Sequence, residues 1–325
     1  MTDNQRIDVT SRAAVSKANG NPCNRRQAVV GSIAAIGAAA ALSNPKCGAA
    51  TTGQDANSQS TVERHGHIRQ SVMGWCFNPM GAVDLARIGK KLGLVAIEGI
   101  DAKHYPAIKR LGLEISLVGS HGFKTGPVST DNHAEVEAKL RSSIDKAVEF
   151  NAKRVITFTG MAVPGMSEAT AKKNCVDCWK RVIDYAEEKG ITLCLEHLNS
   201  RDDSHPMKGH PGYFGDDVDL CVELIREVDS PNLKLLFDIY HVQVMHGDVI
   251  RRLRTLHPYI GHYHTAGNPG RCEIDEHQEI NYPPILRAIL ETGFTGYVAQ
   301  EFIPTWGDPI KSLEHAIGVC DVMKA

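Results

Sequence analysis

The segment Thr192-Leu-Cys-Leu-Glu196 is a short apolar run that ends in a carboxylate, and three later segments repeat this pattern. Each run has the length of a buried strand, and each ends in a side chain that can bind a metal ion. If the four runs are neighbouring parallel strands of a closed barrel, their last side chains meet at one mouth. The three later segments are Leu233-Lys-Leu-Leu-Phe-Asp238, Tyr259-Ile-Gly-His-Tyr-His264 and Gly296-Tyr-Val-Ala-Gln-Glu301.

The chain from about residue 70 onward alternates short apolar runs with amphipathic helical patterns. Glycine often stands between a helix and the next run, as at Gly93, Gly112 and Gly190, where a left-handed residue lets the chain leave the helix and enter a strand. Strands joined by helices must be parallel, and eight of them favour a single-domain (β/α)8 TIM barrel over an open doubly wound sheet. The predicted strands lie near residues 71–76, 94–98, 114–118, 154–158, 191–196, 233–238, 259–264 and 296–301.

The N-terminal part of the 325-residue chain differs in kind from the rest. The pair Arg25-Arg26 precedes an Ala/Gly-rich apolar run, an order typical of a twin-arginine export signal. We therefore expect export to the periplasm, or a cytoplasmic protein if the leader is not functional. The apolar run is too short for a comfortable membrane span, so we expect none in the mature chain. The predicted divisions are a leader over residues 1–50, a polar linker over 51–68 and the barrel over 69–325.

Charge, motifs and cysteines exclude several classes of function. The net charge of −2 provides no positive field for nucleic acid, so we expect no nucleic-acid partner. The absence of G-x-G-x-x-G, P-loop and G-x-S-x-G motifs argues against nucleotide binding and serine hydrolysis. Of nine cysteines, Cys23 and Cys47 belong to the leader, and the other seven are too irregularly spaced for a disulfide framework. Cys175-Val-Asp-Cys178 matches C-x-x-C but has no second pair, so we treat these residues as ordinary thiols.

Four candidate ligands end the fifth to eighth predicted strands, namely Glu196, Asp238, His264 and Glu301. Three carboxylates and one imidazole form a mostly hard donor set, which suits Mg²⁺ or Mn²⁺ and is acceptable to Co²⁺ or Zn²⁺. Gathered in a confined mouth, the carboxylates would repel one another without a cation. We predict one divalent metal ion here; salt bridges at the barrel rim or an accidental grouping are the alternatives. His262 shares a strand face with His264, and one of the two could be a structural histidine.

Three further polar residues follow these strand ends and are candidate substrate-binding residues. Asn199 and His241 each lie three positions after a carboxylate that ends a strand, and Arg271 lies in a Gly/Pro-bearing loop. A guanidinium beside a divalent cation is well suited to bind a substrate carboxylate in a bidentate manner. A salt bridge between loop and helix is the alternative for Arg271. His197 adjoins a candidate ligand, but alternation along the strand sends it to the opposite face, and we exclude it as a ligand.

Five successive segments between about residues 70 and 325 resemble the signatures of the hydroxypyruvate isomerase family, within the xylose-isomerase-like barrels that also hold ketose 3-epimerases. The Ala-Gly-x-Pro-x-Arg and Glu-Ile-Asn-Tyr-Pro patterns are the most specific for the isomerase branch. The segments are Leu195-Glu-His-Leu-Asn199, Phe237-Asp-Ile-Tyr-His241, His262-Tyr-His-Thr-Ala-Gly-Asn-Pro-Gly-Arg271, Glu279-Ile-Asn-Tyr-Pro283 and Gly296-Tyr-Val-Ala-Gln-Glu301.

The resemblance implies that the four strand-end residues bind the metal. It further implies that Glu196 and Glu301 exchange the substrate proton, whereas His241 and Arg271 hold the substrate. Three features depart from the family pattern. His197 stands where a small residue or proline is usual, residues 200–210 look like an inserted loop, and the histidine ligand stands where the isomerase often has glutamine. The last feature brings the metal site closer to the epimerase pattern.

The expected function is that of a metal-dependent isomerase that interconverts a small 2-hydroxy aldehyde and a ketone. Hydroxypyruvate and tartronate semialdehyde are the pair that the resemblance implies. Two carboxylates can move the proton between neighbouring carbons through an enediolate, although a hydride shift remains open. The alternatives are a ketose 3-epimerase or another sugar isomerase, and a noncatalytic sugar-binding protein that kept the barrel. The partner is therefore a small sugar or hydroxy-carbonyl acid. Oligomeric state is left open, although paired barrels are common in such families.

Overall fold

The structure of the protein is a computed structural model, and it describes residues 64–323. The predicted leader over residues 1–50 and most of the predicted linker lie outside the described residues. All the described residues belong to one compact unit. Among them, no helix is both long and apolar enough to cross a membrane.

Strands and helices alternate along the described chain, as the sequence pattern predicts. The strands are β1 (Arg69–Val72), β2 (Ala96–Ile97), β3 (Glu114–Ile115), β4 (Arg154–Thr157), β5 (Thr192–Glu196), β6 (Leu233–Asp238), β7 (Ile260–Thr265) and β8 (Tyr297–Gln300). The α-helices are α1 (Ala82–Lys91), α2 (Tyr105–Arg110), α3 (His133–Glu149), α4 (Glu168–Lys180), α5 (Ile183–Lys189), α6 (Val218–Val228), α7 (Ile239–Met245), α8 (Val249–Leu256), α9 (Tyr282–Glu291) and α10 (Pro309–Cys320).

The strands close into a parallel barrel. Six of them form a sheet in the order β1-β8-β7-β6-β5-β4, and β2 pairs with β3, all in parallel. A parallel bridge between Met73 and Glu98 joins β1 to β2, and another between Val118 and Val155 joins β3 to β4. The predicted TIM barrel is therefore confirmed, and the carboxyl ends of all eight strands share one mouth.

Local chemistry explains where the helices begin and end. Gly93, Gly112 and Gly190 have φ values of 97°, 77° and 63°, the left-handed conformation that was predicted at the helix-to-strand junctions. At the mouth, Asp238 ends β6 and caps α7, since its Oδ1 accepts the backbone N–H of Tyr240 at 2.8 Å. This cap holds one carboxylate oxygen against the helix, so the other oxygen is left for the barrel mouth.

The core between strands and helices is apolar, with Trp179, Tyr282 and Phe237 among its largest fully buried side chains. All seven described cysteines are free and six of them are buried, as expected for ordinary thiols. The barrel interior is more polar near the mouth, where Ser71, Ser116 and other hydrogen-bonding side chains are buried. The fold thus provides an apolar scaffold around a buried polar centre.

Candidate functional site

The four predicted ligands converge at the mouth of the barrel. Glu196, Asp238, His264 and Glu301 are at most 5% exposed, and one ligand atom from each lies within 4.8 Å of the others. Three of the four are strand residues, on β5, β6 and β7, and Glu301 directly follows β8. The register aligns Asp238 with His264 across the β6–β7 pair, which explains why two residues far apart in sequence meet here.

The inward-facing atoms of this cluster lack hydrogen-bond partners among the described residues. They are Glu196 Oε1, His264 Nδ1 and Glu301 Oε2, all buried. The imidazole Nδ1 lies 2.5 Å from the Glu301 oxygen and 3.4 Å from the Glu196 oxygen, without hydrogen-bond geometry. Buried carboxylate and imidazole atoms that point at one another normally need a shared proton or cation. The donor set therefore fits a hard divalent metal ion.

Glu98 orients the imidazole of this cluster. Its Oε1 lies 2.8 Å from His264 Nε2, its Oε2 lies 2.9 Å from His262 Nε2, and Ser116 Oγ donates to the same Oε2 at 2.5 Å. Burial acts to raise the pKa of Glu98, but the two histidines outweigh it and hold that pKa well below its usual range. A carboxylate at Nε2 favours the tautomer that leaves Nδ1 free for a metal.

Sequence reasoning missed Glu98, although the signal was present. The segment Leu94-Val-Ala-Ile-Glu98 is also an apolar run that ends in a carboxylate, at the second strand. His262 forms a second group with Glu98 and His264, and it does not belong to the group of Glu196, Asp238, His264 and Glu301. Its contact with Glu98 fits the structural role that was left open for one of the two strand histidines. His197 belongs neither to the four predicted ligands nor to the group of Glu98, His262 and His264, as expected, and its Nδ1 lies 3.4 Å from the carbonyl oxygen of Leu236.

Burial and crowding shift the protonation of the cluster. Desolvation raises the pKa of Glu196 to about 7 and that of Asp238 to about 6. At Glu301, burial acts in the same direction, but Arg271 and then His264 outweigh it and lower the pKa. Burial disfavours the charged imidazole of His264, yet Glu301 and the other carboxylates raise its pKa well above its usual value. Without a cation, the cluster therefore retains protons near neutral pH.

Arg271 lies beside the cluster and is only 2% exposed. Its Nη2 is 2.7 Å from Glu301 Oε2 and 3.3 Å from Asp238 Oδ2, and its Nη1 donates to the carbonyl oxygen of Met207 at 2.6 Å. Its Nε has no hydrogen-bond partner among the described residues. The predicted position beside the candidate metal is therefore observed, and one buried donor is left for a ligand.

Asn199 and His241 do not line the cavity over the cluster, and they contact each other. The Asn199 backbone N–H and Nδ2 lie 3.1 Å and 2.7 Å from His241 Nδ1, and His241 Nε2 lies 3.5 Å from Asp238 Oδ2. Through these contacts, Asn199 holds the His241 ring, and His241 in turn lies against the candidate ligand Asp238. Their direct contact with substrate stays a prediction.

A cavity of about 280 Å³ opens over the cluster. Glu196, Arg271 and Glu301 line its charged side, and apolar side chains form much of the rest. A concave, largely apolar pocket with a few convergent polar groups is typical of a small-molecule site. The apolar lining includes Trp75, Leu117, Phe123, Ile156 and Phe158.

Comparisons with known proteins agree with this architecture. The model of a family described as "Xylose isomerase-like TIM barrel" matches residues 103–321. The 2-oxo-tetronate isomerase of Cupriavidus necator is 30% identical over 175 residues, which are 53% of this chain and 64% of that protein. The hydroxypyruvate isomerase of Escherichia coli is 26% identical over 187 residues, 54% of this chain and 69% of that protein.

The same fold is found in the apo structure of a 3-keto-D-glucoside 4-epimerase from E. coli. It aligns with a TM-score of 0.66 at 18% identity, over 77% of this chain and 98% of that one. At this identity the likeness concerns the fold alone. The chain thus spans somewhat less than two thirds of the length of the first curated relative, and nearly the full length of a structural one.

Proposed function

The chain belongs to the xylose isomerase-like TIM barrel family, and from this premise we propose that it is a metal-dependent isomerase. The reaction interconverts a small 2-hydroxy aldehyde and the corresponding ketone, with hydroxypyruvate and tartronate semialdehyde as the first candidate pair. One observation carries the proposal: Glu196 and Glu301 flank His264 within one buried cluster, beside Arg271 and an open cavity. The names of two relatives, a 2-oxo-tetronate isomerase and a hydroxypyruvate isomerase, support the same reaction class.

Glu196, Asp238, His264 and Glu301 would hold one divalent cation, with Mg²⁺ or Mn²⁺ preferred for this donor set over Co²⁺ or Zn²⁺. The cation would supply the positive charge that stabilises negative charge on the substrate oxygens during proton transfer. Glu98 fixes the imidazole by contacting its Nε2, so Nδ1 faces the carboxylates.

Two carboxylates in different environments suit a proton transfer between neighbouring carbons. Without the cation, Arg271 lowers the pKa of Glu301 against the effect of burial, whereas burial raises the pKa of Glu196 to about 7. A bound cation would favour the ionised form of both, so that one carboxylate could remove the proton next to a carbonyl and the carboxyl group so formed, or its neighbour, could return a proton to the adjacent carbon. The Nε of Arg271, which is buried and has no hydrogen-bond partner among the described residues, would donate to a substrate carboxylate.

A direct test is an isomerase assay of the full chain with hydroxypyruvate, 2-oxo-tetronate, D-fructose and D-tagatose, before and after removal of metal by a chelator. We expect turnover of a hydroxy-carbonyl acid that disappears on chelation and returns with Mn²⁺. In D₂O the product should carry deuterium at the carbon that received the proton, because a carboxylate exchanges its proton with solvent. Product without deuterium would indicate a hydride shift instead.

An epimerase is the second candidate. A histidine among the four candidate ligands is closer to the epimerase pattern, and a 4-epimerase shares the fold. Turnover of the free ketoses, with none of the acids, would favour it. Binding of these compounds without turnover, unchanged by Glu301→Gln, would favour a noncatalytic sugar-binding protein.

We also propose export by the twin-arginine route, on the basis of Arg25-Arg26 and the apolar run after them. Fractionation of cells that express the full chain, compared with an Arg25→Lys/Arg26→Lys variant, tests this. We expect the paired substitution to retain the protein in the cytoplasm. An equal distribution of both forms would contradict export.

A further inference from the structure

The loop of residues 200–210, which departs from the family pattern, is tied to the barrel by Asn199. Asn199 Oδ1 accepts the backbone N–H of Asp202 at 3.0 Å, and its Nδ2 donates to the carbonyl oxygen of Lys208 at 2.7 Å. Its own carbonyl oxygen accepts the backbone N–H of His210 at 2.7 Å. One asparagine near the end of β5 therefore holds the loop near both of its ends.

The loop contributes to the wall of the cavity through Met207 and His210. Arg271 Nη1 donates to the Met207 carbonyl oxygen, which ties the loop to the candidate site. The ring of His210 packs on Phe123 with centroids 4.2 Å apart, and the residue is 6% exposed. Its imidazole makes no hydrogen bond to any residue that the structure describes.

This imidazole is a neutral polar group in an apolar wall. Burial, and then the positive charge of Arg271, lower the pKa of His210 to about 4. A neutral ring has one N–H donor and one acceptor nitrogen, so it can bind a hydroxyl group in either sense. Ser120 also lines the cavity, but its hydroxyl already donates to the carbonyl oxygen of Ile156.

We propose that His210 is a specificity-determining residue that binds a substrate hydroxyl lying beyond the two reacting carbons. The inference rests on the proposed function, since it assumes that the substrate carboxylate lies at Arg271. The cavity of about 280 Å³ is close to the lower limit of about 300 Å³ for pockets that bind drug-sized ligands, which is more than a three-carbon acid needs. The substrate class is therefore a hydroxy-carbonyl acid of four carbons or more, with a hydroxyl at the far end. In such an acid the same proton transfer interconverts a 3-hydroxy-2-oxo and a 2-hydroxy-3-oxo form, so both forms are ketones.

The test compares two substrates and three variants. The substrates are 2-oxo-tetronate and 3-hydroxy-2-oxobutanoate, which share the reacting carbons but differ in the terminal hydroxyl. With 2-oxo-tetronate we expect His210→Phe, which keeps a ring on Phe123, to lower kcat/KM about tenfold, the value of one hydrogen bond. With the deoxy acid the same variant should match the wild type. His210→Gln, which retains a donor and an acceptor, should recover part of the loss.

Asp203→Ala is the control, because Asp203 is an exposed residue of the same loop whose side chain bonds to no residue that the structure describes, so it should have no effect on either substrate. Equal losses by His210→Phe on both substrates would assign His210 to packing and overturn the inference. No loss on either substrate would overturn it as well. If the wild type turns over neither these acids nor hydroxypyruvate, the proposed function itself is overturned, and the inference with it.

Discussion

The two halves of the barrel mouth differ in the residues found at the ends of their strands. The half built by β5 to β8 presents charged or metal-binding side chains there. In the half built by β1 to β4, a glycine comes within a few residues after every strand, at Gly74, Gly99, Gly119 and Gly160. The first arrangement concentrates charge. In the second, Gly99 and Gly119 line the cavity, whereas Gly74 and Gly160 allow close packing, since an added Cβ would lie 2.3 Å from Ile100 Cγ2 and 2.8 Å from Gly126 Cα. One half of the mouth therefore holds the candidate ligands, and the other contributes to the cavity wall.

Gly99 illustrates the second half. A Cβ at this position would overlap Met73 Sδ, and its φ of 63° disfavours any other residue. Gly99 also lines the cavity. Glu98, next to it, is the exception to the division, because it belongs to the glycine-rich half but contacts His264 of the charged half.

The largest expected effect lies in the charged half. Glu301→Gln removes a carboxylate that can take or return a proton, so we expect kcat to fall by about 10²–10⁴-fold at saturating Mn²⁺. Assays of kcat together with a thermal melt measure chemistry and folding separately. Glu276→Gln, at an exposed glutamate, is the control and should leave kcat unchanged. Activity of the Glu301 variant within tenfold of wild type would remove this residue from the reaction.

Metal binding by the half of the mouth built by β5 to β8 should depend on pH. Because burial raises the pKa of Glu196 to about 7 and that of Asp238 to about 6, protons occupy these ligands as the pH falls. A cation must displace those protons, so affinity for Mn²⁺ should increase from pH 5.5 to pH 8, by up to about tenfold per pH unit for each proton released. Titration of the metal-free protein by electron paramagnetic resonance measures it. A constant affinity between pH 8 and 5.5 would contradict the assignment.

Glu98→Gln tests the residue that belongs to the half built by β1 to β4 but contacts His264 of the other half. An amide offers only one acceptor oxygen in place of the two that contact His262 and His264, so the imidazole loses its fixed tautomer. We expect Mn²⁺ affinity to fall by about 10–100-fold while the barrel remains folded. The control is Glu114→Gln on β3, whose carboxylate pairs with Lys109 at the surface. Unchanged affinity would limit Glu98 to a structural role.

The smallest effect is expected in the half of the mouth built by β1 to β4. Ile156→Val removes one methylene from the cavity wall and should lower the free energy of unfolding by about 1 kcal/mol. Because the charged cluster is untouched, kcat with the smallest substrate should stay close to wild type. Denaturant unfolding and kcat/KM for substrates of increasing length measure the two consequences. A large loss of kcat would show that the cavity wall also affects the reaction at the charged half.

The strand ends were predictable because the sequence pattern that marks them is local. Apolar runs between helices predicted parallel strands, and the geometry of a barrel then required Glu196, Asp238, His264 and Glu301 to share one mouth. Asn199 was predicted from the same spacing to bind substrate, which stays a prediction, and the structure shows contacts of its polar groups with the loop and His241 that the sequence did not predict. Spacing along one strand does not specify which neighbour satisfies a buried amide.

The sequence alone determined the order of strands and helices, the barrel and the set of residues at the charged half of the mouth. Tertiary structure alone decided which residues became partners. Glu98 contacts the imidazole of His264, 166 residues away, and Arg271 donates to the carbonyl oxygen of Met207, 64 residues away. It also placed His210 in the cavity wall. The physical reason is the range of the interactions. Strand and helix periodicity is set by neighbouring residues, whereas a buried polar group is satisfied by whatever the closed barrel brings within hydrogen-bond distance.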